Sequence, residues 1–502
     1  MTRPCQATLF AAAAAAAACL GAAAPSLAPE ARLMERALAS GALEDDLEHL
    51  TQRIGGRVTG TPASERSIDW AASRLRQAGV SVSLEEFAVP RFWDDGEAEV
   101  WAVSPERFPL PAVACPGSLA TPAGAIEAAV VDAGSGTPED FSRLGPAAAG
   151  AVALVGTRPM EGLGDLFAEY LRDRPMMEAA RRAGIAALMV MSNRPRGLLY
   201  SHPVRLDGTP APLPVALVAR EPAERLRRLM AHGPARVRLR LAPREGGPFT
   251  SRNVIGEIRG SARPGEIVLL GAHLDSWGLG EGAEDNGVNA ALVIDVARGF
   301  RELGLTPSRT VRFALFTGEE QGLWGSASYV RRHGEEMDRH AAAVIHDTGS
   351  GRVRGYYLNG REELRAPVEE ALRPAASLGP FQHPLDAVDG TDNFDFLLAG
   401  VPNLLADQEA GPYLPDYHAE SDTFDKVDRE QARRNAAVAA VLVWGLAQAE
   451  APPGRRQTRQ EVAALLERSG LEPVMRSFGQ WEGWAGGSRP GSGQAPPPSK
   501  ED

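Results

Sequence analysis

The stretch EIVLLGAHLDSWGLGEGAEDNGVNAALVIDVARG (residues 266–299) places an acidic, glycine-dotted loop between two apolar segments. The apolar start predicts a buried strand that ends at His273, and the end predicts an amphipathic helix. Two interpretations of the loop are open: an ordinary solvated loop with surface charges, or imidazole and carboxylate groups gathered to hold a metal ion. The groups in question are His273, Asp275, Glu281, Glu284 and Asp285.

Strands and helices alternate on both sides of this stretch. NVIGEI (253–258) precedes it as a strand, and RTVRFALFT (309–317) and AAAVIHDTG (341–349) follow it as apolar strands. A helix is predicted between the last two, in GLWGSASYVRRHGEEM (322–337). This alternation is typical of a parallel sheet covered by helices on both faces. We therefore predict an α/β fold with a mixed, largely parallel sheet between helices.

Composition divides the chain further. Residues 29–104 are mostly helical in pattern, and residues 246–450 hold the strand–helix alternation. Between them, residues 105–245 are rich in Ala, Val, Pro and Gly with short apolar runs, which predicts a β-rich unit inserted into a larger domain. Residues 451–502 form a polar extension, and we expect its last stretch, residues 486–502, to be disordered.

Residues 1–28 differ from everything that follows. A basic start, an alanine-rich apolar run and an Ala-x-Ala site are features of a secretory signal peptide. An uncleaved anchor or a lipid-modified Cys19 are the alternatives. No later segment approaches the roughly 20 apolar residues of a membrane span. We therefore expect a secreted or periplasmic protein with no stable membrane insertion after signal removal.

Charge and cysteine content exclude other classes. Lys and Arg total 53 against 65 Asp and Glu, for a net charge of −12, which argues against nucleic acid as a partner. Cys5 and Cys19 lie in the predicted signal, so Cys115 is the single cysteine left in the mature sequence. An internal disulfide is therefore not expected.

Residues with metal-binding side chains follow four predicted strands. The carboxyl ends of parallel strands meet at one edge of a sheet, so these side chains are expected to lie together. They are His273 with Asp285, Glu319 with Glu320, Asp347, and His418 in PDYHAESDTFD (415–425).

Each position alone has an ordinary explanation. A given histidine, among nine in the chain, is more often structural or exposed than a ligand. Glu319 and Glu320 could be an acidic pair favoured by a helix dipole. His346 competes with Asp347, because strand neighbours point to opposite faces. Asp275 is interpreted as the carboxylate that orients His273 from behind. The coincidence at four strand ends favours a metal site.

These motifs resemble the co-catalytic zinc aminopeptidases, and within them the carboxypeptidase Q branch. The resemblance covers about residues 250–445 and is carried by TSRNVIGEIRG, EIVLLGAHLDS, AEDNG, FTGEEQGLWGS and DYHAESDTFDKVD. The inserted unit resembles a protease-associated domain through VVDAGSG, GAVALV, AGIAALMVMS and PLPVALV. The expected architecture is thus a zinc exopeptidase fold with a protease-associated insert.

The resemblance implies a role for each position. Two Zn²⁺ ions are expected, and a carboxylate can bridge two such ions where an imidazole cannot. The implied roles are His273 and Asp347 on the first zinc, Glu320 and His418 on the second, Asp285 bridging both, and Glu319 as general base. Asn289 and Asn393 depart from the family pattern, which leaves substrate preference open.

The resulting hypothesis is an exported dinuclear zinc exopeptidase. It would hydrolyse short peptides or dipeptides through a metal-bridging hydroxide and would recognise the free amino terminus of the substrate. Removal of residues from the amino end and removal from the carboxyl end both stay open. The resemblance also implies a possible homodimer. The alternatives are a single-zinc acyl transferase similar to glutaminyl cyclase and a non-catalytic, receptor-like binding protein on the same fold.

Overall fold

The structure is a computed structural model that describes Met1 and residues 27–487. Most of the predicted signal peptide, with Cys5 and Cys19, and residues 488–502 of the predicted disordered end lie outside the described residues. Within the described part, no helix combines the length and the apolar character needed to cross a membrane.

The described residues form fifteen strands, which belong to two sheets. They are β1 (Ser81–Val89), β2 (Phe92–Ser104), β3 (Phe108–Pro109), β4 (Ala112–Ala114), β5 (Ile126–Asp132), β6 (Val152–Val155), β7 (Ala187–Met191), β8 (Val215–Val218), β9 (Arg236–Gly246), β10 (Phe249–Ile258), β11 (Arg263–His273), β12 (Arg309–Phe316), β13 (His340–Ile345), β14 (Val353–Tyr357) and β15 (Asn403–Gln408).

Helices are spread along the whole described chain. They are α1 (Pro29–Leu38), α2 (Ala42–Glu48), α3 (Pro62–Gln77), α4 (Pro138–Leu144), α5 (Leu163–Arg182), α6 (Arg220–Met230), α7 (Val288–Glu302), α8 (Trp324–Arg332), α9 (Arg365–Leu372), α10 (Asn393–Leu398), α11 (Arg429–Gln448), α12 (Arg459–Arg468), α13 (Glu472–Ser477) and α14 (Trp481–Ala485).

A seven-stranded mixed sheet forms the centre of the larger domain. Its strand order is β1-β10-β12-β11-β13-β15-β14. The four strands β12, β11, β13 and β15 run parallel. At the margins, β10 pairs antiparallel with β12, β1 pairs antiparallel with β10, and β14 pairs antiparallel with β15. The predicted parallel sheet is therefore confirmed at its centre. The carboxyl ends of the four parallel strands meet at one edge of the sheet.

Helices cover both faces of this sheet because its central strands are apolar on both sides. On β11, Val268 and Leu270 pack into the core beneath helices α1, α7 and α11. Leu269 points the other way and packs with Phe316 and Phe396, against helices α8 and α10. This alternation follows from the two-residue period of a strand. The parallel centre is buried on both faces, as α/β proteins require.

A second, eight-stranded sheet forms the insert, which we define as residues 92–246. Its order is β3-β2-β9-β5-β6-β7-β8-β4, with β5 to β8 parallel. Helices α4, α5 and α6 connect these strands. Strand β2, which sequence composition had grouped with residues 29–104, belongs to this sheet, because it pairs along its length with β9 and buries Val100 opposite Leu239.

The C-terminal extension, defined here as residues 451–487, is helical and packed on the larger domain. Helix α12 begins with a capping box in which Thr458 and Glu461 satisfy each other's backbone amides. Its buried face, Val462, Leu465 and Leu466, packs against Phe394 and Leu397 of α10 and against Leu323.

Candidate metal centre

The parallel edge of the seven-stranded sheet gathers the predicted ligands from loops far apart in the sequence. All are buried, and they form two groups whose ligand atoms lie within 4.8 Å of one another. One group is His273, Asp285 and Asp347, and the other is Asp285, Glu320 and His418.

The first group is centred on His273, the last residue of β11. Its Nε2 lies 2.8 Å from Oδ1 of Asp347, which follows β13, and 3.2 Å from Oδ1 of Asp285, which precedes α7. Burial alone would lower the pKa of His273, but the carboxylates of Asp347 and Glu319 raise it well above its usual value.

The second group is centred on His418, in the loop after β15. Its Nε2 lies 2.8 Å from Oε2 of Glu320 and 3.4 Å from Oδ2 of Asp285. Burial lowers the pKa of His418 to about 4, so the imidazole is neutral and has a lone pair to offer. Asp285 thus presents one oxygen to each imidazole.

The donor set fits a metal ion. Among the described residues, the buried Oε1 of Glu320 has no hydrogen-bond partner, and the buried Nε2 of His273 makes no hydrogen bond of good geometry although two carboxylate oxygens lie 2.8 and 3.2 Å away. Burial raises the pKa of Glu319 and Glu320 well above the usual carboxyl range. Buried unpaired polar atoms and crowded carboxylates are costly without a cation. Two histidines with three carboxylates suit zinc.

Each candidate histidine is oriented by a backbone carbonyl. Nδ1 of His273 donates to the carbonyl oxygen of Asp275 at 3.0 Å, whereas the nearest Asp275 carboxylate oxygen is 3.7 Å away. The Asp275 carboxylate, the predicted orienting group, also accepts from Thr59 Oγ1 at 3.0 Å and from the backbone N–H of Glu319 at 3.3 Å. The Asp275 side chain therefore positions the Glu319 segment.

His418 is oriented from the insert. Its Nδ1 donates to the carbonyl oxygen of Ser201 at 3.0 Å, and the Ser201 N–H donates back to the His418 carbonyl at 2.9 Å. The same two segments continue this contact as an antiparallel bridge between Tyr200 and Ala419. The insert thus contributes directly to the geometry of the second group.

His346, the competitor of Asp347, faces away from the site. Its Nε2 lies 3.2 Å from the phenol oxygen of Tyr356, and burial lowers its pKa to about 3. Asp347 faces His273 instead, as required when two neighbouring residues leave a strand on opposite sides.

The other acids of the opening stretch have structural partners. The Glu284 carboxylate accepts from the Ser350 N–H at 2.5 Å and from its hydroxyl at 2.6 Å. Oε2 of Glu281 accepts from the Phe424 N–H at 2.8 Å. These bonds hold the loop against neighbouring segments. Glu281 and Glu284 are therefore neither solvated surface charges nor members of the metal groups.

Three residues that sequence reasoning did not single out hold the Asp285 loop. Asp422 accepts from the consecutive N–H groups of residues 283, 284 and 285 at 3.0, 2.7 and 3.1 Å. The buried Arg57 donates to the carbonyls of residues 274, 281 and 282. Tyr413 donates from its phenol to Oδ2 of Asp285 at 3.0 Å. Asp422 lies within the quoted PDYHAESDTFD motif, whereas no local pattern marks Arg57 or Tyr413.

A cavity of about 490 Å³ opens on the two groups. Glu319, Glu320, Asp347 and His418 line its inner end. The two residues that depart from the family pattern do not line it. Asn393 is buried with its amide near the carbonyl of Val388, and Asn289 bonds to Asn286.

Known proteins match this chain in sequence and in fold. Residues 253–443 match the sequence model described as peptidase family M28. Carboxypeptidase Q of Rattus norvegicus is 30% identical over 405 residues, which cover 80% of this chain and 84% of that protein.

Two solved structures extend the comparison. A peptidase M28 precursor from Shewanella amazonensis superposes with a TM-score of 0.77 at 28% identity, covering 86% of this chain and 98% of its own. BSAP, a zinc aminopeptidase from Bacillus subtilis, superposes with a TM-score of 0.65 at 21% identity, covering 83% and 98%. The second likeness concerns the fold alone.

Proposed function

Because this chain belongs to peptidase family M28, we propose that it is a dinuclear zinc exopeptidase that acts on short peptides with a free amino terminus. The observation that carries the proposal is that Asp285 belongs to both of the three-residue groups. Its Oδ1 faces His273 and its Oδ2 faces His418, at 3.2 and 3.4 Å. A single-zinc enzyme would need only one of the groups, whereas a shared carboxylate is what two neighbouring ions require.

The residues of the site have different roles in the proposed reaction. Zinc ions held by the two groups would polarise the peptide carbonyl and acidify a water molecule. Glu319 belongs to neither group, and its carboxylate lies 3.9 Å from Nε2 of His273. Its carboxylate can therefore serve as the general base that accepts the proton of the attacking water and passes it to the leaving amine. The bond from its N–H to Asp275 keeps this segment in place.

The charges of the cavity support recognition of an amine. Asp386, Asp389 and Asp407 line it in addition to the carboxylates of the metal groups. Among the described lining residues, Arg354 is the single permanently cationic side chain, and its guanidinium lies 2.5 Å from Oδ1 of Asp407. A protonated amino terminus is therefore favoured over a free carboxylate. The cavity volume falls in the range of small-ligand sites, which suits a short peptide.

A panel of blocked and unblocked dipeptides tests this proposal. We expect cleavage of dipeptides with a free amino end, retention of activity when the carboxyl end is an amide, and loss of activity when the amino end is acetylated. The same sample should contain close to two zinc ions per chain. Preference for amino-blocked substrates, or about one zinc together with cyclisation of amino-terminal glutamine, would contradict the proposal.

The alanine-rich residues within 1–28 support export of the enzyme, with cleavage after an Ala-x-Ala site. Amino-terminal sequencing of protein recovered from outside the cytoplasm tests this point. Mature protein that starts at Met1 would contradict it.

A further inference from the structure

The C-terminal extension lies beyond residues 253–443, the part of the chain that matches the sequence model of the family. It is nevertheless joined to the active-site region of the larger domain. Its α12 packs on Leu323, which follows the Glu319–Glu320 pair by three residues, and on helix α10. The backbone N–H of Gln457 donates to the Gly400 carbonyl at 2.7 Å. The extension is therefore a fixed part of the molecule near the metal groups.

The other end of the extension is fastened to the insert. Ser477 Oγ donates to the carbonyl of Tyr170 at 2.6 Å, and Arg174 donates to the carbonyl of Arg476 at 2.7 Å. Gly479 follows with φ of +72°, and a Cβ there would come within 2.5 Å of the Asp207 Cβ. Glycine is needed at this position both for the left-handed backbone and for the close approach. Helix α13 is thus held against α5.

This contact forms the apolar side of the cavity. Leu471, Val474 and Phe478 of the extension line it together with Leu166 and Phe167 of α5. Phe478 meets the ring of Tyr170 edge to face, with centroids 5.4 Å apart. The side chains at 474 and 478 are one helical turn apart, so they lie on the same side of the segment.

The apolar side reaches the metal groups through two tyrosines. The phenols of Tyr170 and Tyr417 share a hydrogen bond of 3.0 Å. The ring of Tyr417 stacks on the imidazole of His418 at a centroid distance of 3.6 Å. The extension's apolar residues and the residues of the metal groups therefore line the same cavity.

We propose that the extension supplies a specificity wall of the active site: Val474 and Phe478, with α5 of the insert, receive the side chain of the substrate's amino-terminal residue and select peptides that begin with a bulky apolar residue. This inference rests on the proposed exopeptidase function. Asp386, Asp389 and Asp407 line the same cavity and suit the adjacent amine. Apolar area removed from water provides the selectivity.

Two substitutions with opposite effects test the wall, with Glu472→Ala on the same helix as a control, because the Glu472 side chain is half exposed and pairs with Arg476. The measurement is kcat/KM for Phe-Gly and Leu-Gly relative to Ala-Gly. In Phe478→Ala the preference for the bulky residue should fall roughly ten- to hundredfold, the range for lost methylene-sized contacts in a pocket. Val474→Phe should narrow the pocket and disfavour Phe-Gly by roughly tenfold while sparing Ala-Gly.

A binding measurement separates this inference from the proposed function. The zinc-loaded full chain is titrated by calorimetry with the hydroxamates of phenylalanine and alanine, which need no turnover. We expect tighter binding of the phenylalanine compound in the wild type and loss of that difference in Phe478→Ala. If no peptide is cleaved but this pattern is found, the proposed exopeptidase function is wrong, whereas recognition of a bulky apolar side chain by Phe478 is supported.

Equal binding of the two hydroxamates by the wild type would overturn the inference. So would an unchanged ratio in both folded, zinc-loaded variants. Should Phe478→Ala fail to fold, Val474→Phe decides between these outcomes, because residue 474 is only partly buried and a larger side chain there extends into the cavity.

Discussion

Ser201 and His418 hold each other by two hydrogen bonds, one through the imidazole Nδ1 and one through the backbone N–H of Ser201. Ser201 lies in a loop of the insert and His418 in a loop of the larger domain, and the two are separated by 217 positions in sequence. The insert is therefore part of the candidate metal centre, because it orients one of the two imidazoles. Groups that orient a metal-binding histidine commonly affect metal affinity.

Replacing Ser201 by proline tests this dependence. Proline has no N–H and constrains the backbone, so both bonds to His418 should be disturbed. We expect the zinc affinity of the group centred on His418 to fall about 10- to 100-fold. Chelator competition followed by metal analysis measures the change. Ser201→Ala is the matched control, because the buried hydroxyl has no hydrogen-bond partner among the described residues and the backbone bonds persist. Equal zinc retention by both variants would contradict the prediction.

Glu319→Gln should separate catalysis from metal binding. The amide keeps the size of the side chain but cannot take up a proton from water, and Glu319 lies in neither three-residue group. We expect kcat to fall about 10² to 10⁴-fold while the zinc content stays unchanged. Steady-state kinetics and metal analysis on one preparation measure both. Loss of zinc would instead identify Glu319 as a ligand, and full activity would exclude it as the base.

Tyr413→Phe should weaken metal binding without removing any ligand. Burial raises the pKa of Tyr413 well above its usual value, so the phenol remains protonated and donates to Oδ2 of Asp285. Its removal leaves the Asp285 carboxylate less firmly oriented, and zinc affinity should fall about tenfold or more. Competition with a chromophoric chelator measures this effect. A thermal melt of the zinc-free protein serves as the folding control, and wild-type affinity in the variant would refute the role.

His340 should make the fold sensitive to mild acid. Burial lowers its pKa to about 4, from the usual 6.5 that applies in the unfolded chain. Below pH 6.5 the imidazole of His340 therefore binds a proton in the unfolded state, whereas in the folded state it binds one only when the pH falls to about 4. The contribution of the neutral imidazole to the free energy of unfolding is complete above pH 6.5 and is lost as the pH falls from 6.5 to about 4. At pH 5 the loss attributable to His340 is about 2 kcal/mol.

Denaturant titrations at pH 7.5 and pH 5 measure this contribution. His340→Gln should lose less stability between the two values than the wild type does. His232→Gln, at an exposed position, is the matched control. The same loss in the wild type and in His340→Gln would show that other groups cause the acid sensitivity.

Sequence reasoning anticipated much of the catalytic fold because the relevant signals are local. The apolar run that ends at His273 predicts a buried strand from its own residues, and β11 ends there. The same holds for the helix after Asp285 and for the strands before Glu319 and Asp347. Since parallel strands share one carboxyl edge, the gathering of their terminal residues could be predicted before any distance was known.

The division of the chain was harder to predict. Strand β2 carries a half-buried pattern that suits either sheet, and its pairing with β9 assigns it to the insert. In the extension, the stretch RQEVAALLERSG (459–470) has helical spacing. The place where the extension packs could not be predicted, because periodicity shows that a face is buried without showing what buries it.

The sequence by itself determined which residue types stand at the ends of the strands, and hence which chemistry the edge of the sheet can carry. Only the tertiary structure decided what holds them: the Ser201 carbonyl behind His418, the Tyr413 phenol on Asp285, and the guanidinium of Arg57 beneath the loop. These bonds join segments more than a hundred residues apart. Hydrogen bonding depends on position in space, and neither spacing nor hydrophobic pattern along one segment records its distant partner.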